Sequence, residues 1–141
     1  MPVDPHIVKV RIAKIEESAG RLRGIASAGG RNPFSDRRVL TESERLFHVA
    51  IQAVLDIGSH LIAGLGFREP EGYAEIIDIL GEEGVIPRRF AASIRKMAGL
   101  RNILVHDYLD VDPVKLREAL RRVGDFEKYC RYVLDYLDLG R

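Results

Sequence analysis

The stretch Arg101-Asn102-Ile103-Leu104-Val105-His106-Asp107-Tyr108 gathers an arginine, an asparagine, a histidine, an acid and a tyrosine within eight residues. Histidine exchanges protons near neutral pH. Arginine offers a planar fork of donors that grips a phosphate or steadies developing negative charge. Neither role needs a metal. On a helix Arg101 and Tyr108, seven apart, share one face, and Asn102 and His106, four apart, share another. Arg101 and His106 lie about 140° apart around the axis and ~7.5 Å along it. The arginine is long enough to reach across, the more so if the helix frays after Val105. Two copies meeting on a two-fold axis would set two arginines and two histidines around one cleft. Residue types alone leave a second reading open: a polar helix end whose cation sits well against the C-terminal dipole.

Around this stretch the charge is uneven. Arg68 to Gly84 holds six acids against one arginine, whereas Val85 to Val105 holds five bases and no acid. A polyanion should prefer the second segment. Arg88, Arg89, Arg95 and Lys96 are its candidate phosphate contacts, although a solvated helix face would carry the same residues. The net charge of +1 gives no global basic field. With five Phe, five Tyr and no Trp, base stacking is weakly indicated.

Other chemistries find little support. Neither G-x-x-x-x-G-K-[ST] nor G-x-G-x-x-G after a strand occurs, and H-E-x-x-H and Glu-x-x-His are absent. Glu44 and His48 are four apart, but a local hydrogen bond or a solvated pair accounts for them better than a metal. His60 reads as a satisfied helix histidine. No metal site and no cofactor is expected. The single cysteine, Cys130, excludes an intramolecular disulfide and cysteine-based zinc sites, and it sits in an apolar stripe, so it is expected in the core.

The elements that must position these residues are helices. Apolar residues recur at helical spacing almost throughout. The first helix, about residues 4–28, carries the seam Val8, Ile12, Ile15, Ala19, Leu22 and Ala26. A second, about 35–65, carries Leu46, Val49, Ala50, Ala53, Val54, Ile57, Leu61 and Leu65; a Thr41/Glu44 capping box could delay its start. A short third spans about 73–83. A fourth, with Pro87 in its first turn, runs to about Tyr108. A fifth runs from near Pro113 through Leu116, Leu120, Val123, Cys130 and Leu134 to Leu137. The expected fold is all-α, an up-down bundle of about five helices, filling one domain over residues 1–141. At 15.9 kDa such a domain needs no disulfide or metal staple. No apolar run approaches the ~18 residues of a membrane helix and the N-terminus lacks a signal-peptide core, so a cytoplasmic protein with no membrane role is expected.

Arg101, His106 and Tyr108 fit the R-x-x-x-x-H-x-Y motif of the HEPN superfamily, and the chain resembles a HepT-like toxin. The stretches Glu44 to Ile57 and Met97 to Tyr108 are similar to that family, as are the length and the helical order. The resemblance implies a homodimeric, metal-independent endoribonuclease of a type VII-like toxin–antitoxin pair. It implies that an RNA 2′-hydroxyl attacks the adjacent phosphorus and leaves a 2′,3′-cyclic phosphate and a 5′-hydroxyl. His106 would be the acid or base and Arg101 the phosphate ligand. The implied partner is a minimal nucleotidyltransferase antitoxin that transfers AMP from ATP to Tyr108 and so blocks the cleft with charge and bulk. Beyond the resemblance, the i, i+4 spacing puts Asn102 forward to orient His106 or touch the phosphate. Asp107 is expected as a solvated helix-end residue, and the fourth helix as the dimer face. Alternatives are a non-catalytic HEPN module that binds nucleotide or RNA or serves as a scaffold, an antidote to a toxic nucleotidyltransferase, and a structural bundle.

Overall fold

A computed structural model describes residues 2–28, 30–106 and 111–140. Every regular element among them is helical: α1 (Pro5–Ala28), a single 3-10 turn (Pro33–Ser35), α2 (Arg37–Leu65), α3 (Tyr73–Glu82), α4 (Arg88–Ala98), α5 (Arg101–Leu104), α6 (Pro113–Arg121) and α7 (Gly124–Tyr136). The all-α expectation holds, but seven α-helical segments replace about five because two long helices break. The fourth stops at Ala98, where the Leu100 N–H turns back to the Met97 carbonyl, three residues away, and a one-turn helix follows. The fifth breaks at Arg122–Val123, where N–H groups again bond three residues back. The Arg122 guanidinium anchors this break by donating to the Ser93 hydroxyl and the Asp125 carboxylate.

The second helix begins at Arg37, not at the Thr41/Glu44 box. The Asp36 carboxylate accepts from the Arg38 N–H and caps it, and Gly66, at φ 72°, ends it in the left-handed region. Pro87 sits just ahead of α4 as its cap instead of inside the first turn. Asp112 caps α6 with Pro113 behind it.

Helix α2 is the central strut. Leu46, Phe47, Ile51, Val54, Leu55, Ile57, Leu61 and Ile62 are all buried, on more than one stripe, because α1, α3 and α7 pack around it. Each such side chain contributes roughly 1.5–3 kcal/mol by leaving water. Val49 is only half-buried and Leu65 is exposed, so the anticipated stripe is wrong at those two positions. By length and composition α2 could cross a membrane, contrary to the expectation from apolar runs. Most of its apolar window is covered by neighbouring helices, which is the situation of a core helix.

The seam of α1 is buried at Val8, Ile12, Ile15, Ala19 and Leu22; Ala26 is exposed, since the packing ends one turn earlier. Two ion pairs set α1 antiparallel to α2: Arg11 with Asp56 at 3.6 Å and Arg21 with Glu42 at 2.6 Å. Helices α3 and α4 are antiparallel as well, with Arg95 on Asp78 at 3.0 Å. Gly81 lies so close to Ala91 that a Cβ there would come within 2.9 Å of the alanine Cβ. Cys130 is buried, as its stripe implied. His60 accepts the Asp4 N–H at 2.8 Å and ties the start of α1 to α2.

Candidate functional site

Arg101 opens the one-turn helix α5, and the break at Gly99–Leu100 aims it at α2. Its Nε donates to the Gln52 Oε1 at 3.1 Å, and Nη1 lies 3.5 Å from the Asn102 Oδ1. The guanidinium carbon sits 4.1 Å above the centre of the Tyr73 ring, a cation–π contact. Gln52 is itself oriented, because its amide nitrogen donates to Asp56 at 2.9 Å, and Asp56 pairs with Arg11. All three groups that hold Arg101 are uncharged. Among the described residues no carboxylate forms an ion pair with it, in contrast to Arg11, Arg21, Arg23, Arg68, Arg95 and Arg122. A guanidinium fixed by neutral partners keeps its charge for an anion.

His106 follows where α5 has ended. Its N–H bonds to the Ile103 carbonyl at 3.3 Å, and the residue is exposed. The helix therefore stops at Leu104, which leaves the histidine exposed just beyond its end, while Arg101 at its start is half-buried. Asn102 is exposed. Its carboxamide oxygen faces the Arg101 guanidinium, and the residue borders a depression shared with Glu75, Asp78 and Arg95. Tyr108 and Asp107 lie outside the described residues.

The four basic residues of α4 do not form one patch. Arg88 and Arg95, seven apart, face α3: Arg95 is held by Asp78, and Arg88 lies close enough to help keep the Glu82 carboxyl below its usual range, mainly the work of its bond to Arg68. Arg89 and Lys96 lie about a quarter-turn round the helix. Lys96 edges a groove of about 670 Å³ together with Lys115, Arg121 and Arg122.

Sequence reasoning missed Gln52, Tyr73 and His48 as neighbours of Arg101. Gln52 left a trace, since His48, Gln52 and Asp56 are the polar side chains, at helical spacing, in an otherwise apolar run from Leu46 to Gly58. Tyr73 left none, because its approach depends on how α3 crosses α2. His48 is half-buried; loss of solvent, Arg45 and Arg101 together hold its imidazole below the ordinary histidine value. Among the described residues no group of three or more His, Cys, Asp and Glu side chains is placed to hold a metal ion.

Fold and site together define an all-α protein with an anion-ready arginine and an accessible histidine at one helix end. The chain belongs to the family "Ribonuclease HepT-like", which it matches over residues 15–133, and is an endoribonuclease by class. It is similar to the tRNA nuclease HepT of Aphanizomenon flos-aquae, with 26% identity over 136 residues that cover 96% of this chain and 92% of the relative. Its fold matches the tri-AMPylated Shewanella oneidensis HEPN toxin solved in complex with MNT antitoxin, at a TM-score of 0.81, with 21% identity over 92% of this chain and 98% of that one. It also matches the cytosolic protein YutE of Bacillus subtilis, at a TM-score of 0.74 and 24% identity over 98% of this chain and 94% of that one.

Proposed function

We propose that this chain is a single-domain, cytoplasmic, homodimeric endoribonuclease that works without a metal and is the toxin of a toxin–antitoxin pair. The observation that carries the reading is Arg101, fixed by Gln52, Asn102 and Tyr73, its charge unpaired among the described residues, with the exposed His106 five residues further along the chain. A phosphodiester on Arg101 places its phosphorus within reach of a neighbouring 2′-hydroxyl. The O2′–P bond forms and the P–O5′ bond breaks. One proton leaves the 2′-oxygen and one reaches the 5′-oxygen, so the products are a 2′,3′-cyclic phosphate and a 5′-hydroxyl. His106 moves a proton in this exchange, Arg101 holds the charge that builds on the phosphoryl oxygens, and Asn102 steadies Arg101. Arg89 and Lys96 add sequence-neutral phosphate contacts, and Arg88 and Arg95 act there only as far as their acidic neighbours on α3 allow.

The partner is a minimal nucleotidyltransferase antitoxin that joins AMP to Tyr108, as the AMPylated toxin of similar fold supports. Negative charge added seven residues from Arg101 competes with RNA for the same cation. The test is cleavage of RNA by the unmodified protein in EDTA, with identification of the product ends. Arg101→Ala and His106→Ala should each lose about a hundredfold or more in rate. An intact wild-type protein that leaves RNA uncut overturns the reading. Intact mass after co-expression with the nucleotidyltransferase should rise by whole AMP units, and the rise should vanish in Tyr108→Phe.

A further inference from the structure

A second cationic feature lies on the other side of Gln52. Between α1 and α2 is a groove of about 270 Å³ lined by Arg11, Lys14, Arg45, His48, Gln52 and Asp56, with Val49 and Ala53 at its floor. The two helices are stitched at one end by Arg11 on Asp56 and at the other by Arg21 on Glu42. That antiparallel register brings Lys14 level with residues 49 to 53, between the stitches and nearer the Arg11–Asp56 one. Lys14 on one wall and Arg45 on the other form no ion pair with a described residue, although an acid answers the cation at each end. The groove thus keeps two uncompensated cations. His48 lines the same groove, and loss of solvent first, then Arg45 and Arg101, disfavour its protonation.

Gln52 lines this groove and also accepts the Arg101 Nε–H. The groove and the arginine are therefore contiguous, with one side chain as their shared wall. Lys14 and Arg45 are both exposed and line the same groove, so an anion that enters it is attracted by both. We infer that the α1/α2 groove is a phosphate subsite that takes a phosphodiester of the RNA strand flanking the one held by Arg101. This rests on the ribonuclease reading above and deepens it, for it routes the strand over α1 and α2 as well as past α4. Lys14 and Arg45 would bind backbone phosphate without reading sequence, and His48 would become easier to protonate once the anion enters.

The test is equilibrium binding of a 2′-O-methyl RNA, which cannot be cleaved, to the unmodified full chain over a range of salt. The proteins compared are wild type, Lys14→Glu, Arg45→Glu and, as a control with the same charge change on the exposed face of α7, Lys128→Glu. Each groove variant should weaken binding on the order of tenfold at moderate salt and flatten the plot of log affinity against log salt by about 0.7 per lost phosphate contact. The Lys128 variant should do neither. Unchanged melting temperatures identify the loss as one of binding, and a groove variant that fails to fold is replaced by Lys14→Gln or Arg45→Gln, for which a smaller loss in the same direction is expected. Groove variants that bind no worse than Lys128→Glu, with wild type still cutting RNA, overturn the subsite and leave the ribonuclease standing. Wild type that binds the RNA through the groove but cuts none overturns the ribonuclease reading instead.

Discussion

Removing Gln52 tests the idea that Arg101 is held in place by neutral partners. In Gln52→Ala the Arg101 Nε loses its 3.1 Å acceptor, while Tyr73 and Asn102 remain. A hydrogen bond to a charged group is worth about 1.5–3 kcal/mol. Gln52 and Arg101 are both half-buried, which favours the lower end. About 1.5 kcal/mol corresponds to roughly a tenfold slower single-turnover cleavage. Arg101→Ala, which removes the charge itself, should cost about a hundredfold to a thousandfold. Gln52→Glu separates position from charge: it restores an acceptor at the same site but pairs the guanidinium with a carboxylate. It should hold Arg101 at least as firmly and yet cut RNA more slowly than Gln52→Ala, because the phosphate then meets a neutralised arginine. Rapid-quench assays with the protein in saturating excess over RNA, with melting curves in parallel, measure all three. Gln52→Glu that cleaves as fast as wild type, or Gln52→Ala that keeps the wild-type rate while Arg101→Ala does not, would rule out a positioning role for Gln52.

Three further outcomes concern the scaffold. Gly58→Ala should destabilise by up to about 2 kcal/mol in urea unfolding: the new Cβ would lie 2.4 Å from the Ile76 Cγ2 and 3.3 Å from the Leu80 Cδ1, an overpacking cost of about 1–3 kcal/mol that better helix propensity offsets by about 1. Ser43→Ala should leave stability unchanged or raise it by up to about 1 kcal/mol in the same assay, since the buried Ser43 hydroxyl has no described hydrogen-bond partner. The depressed His48 value has a definite sign in pH titration. The unfolded chain takes up that proton first, so the contribution is complete above about pH 6.5 and is lost as pH falls through the lower folded value. His48→Gln should therefore flatten the acid limb of a stability-against-pH curve recorded by thermal melting, and an unchanged limb would remove His48 from that account.

The sequence by itself determined the helical architecture, because the apolar period is a local property. Val8, Ile12, Ile15, Ala19 and Leu22 have to face one way on any helix, and the core receives them as their spacing requires. It also determined the order of Arg101, His106 and Tyr108 and the contrast between an acidic and a basic segment, since spacing and charge need no third dimension. Tertiary structure decided where the long helices break. Gly99 and Gly124 stand at these two breaks in the sequence, yet Gly20 and Gly58 lie inside unbroken helices, so packing decides which glycine accompanies a break. It also decided which charges are spent. Arg95 and Lys96 are adjacent and look alike in sequence, yet Asp78 on α3 pairs with the first, and the second stands at the edge of a groove. Above all it brought Gln52 and Tyr73, respectively 49 and 28 positions before Arg101, onto the same guanidinium. A helical period tells which way a side chain faces and not which helix lies opposite. The partners that hold Arg101, and the groove that continues from it, exist only once α1, α2, α3 and α5 have packed.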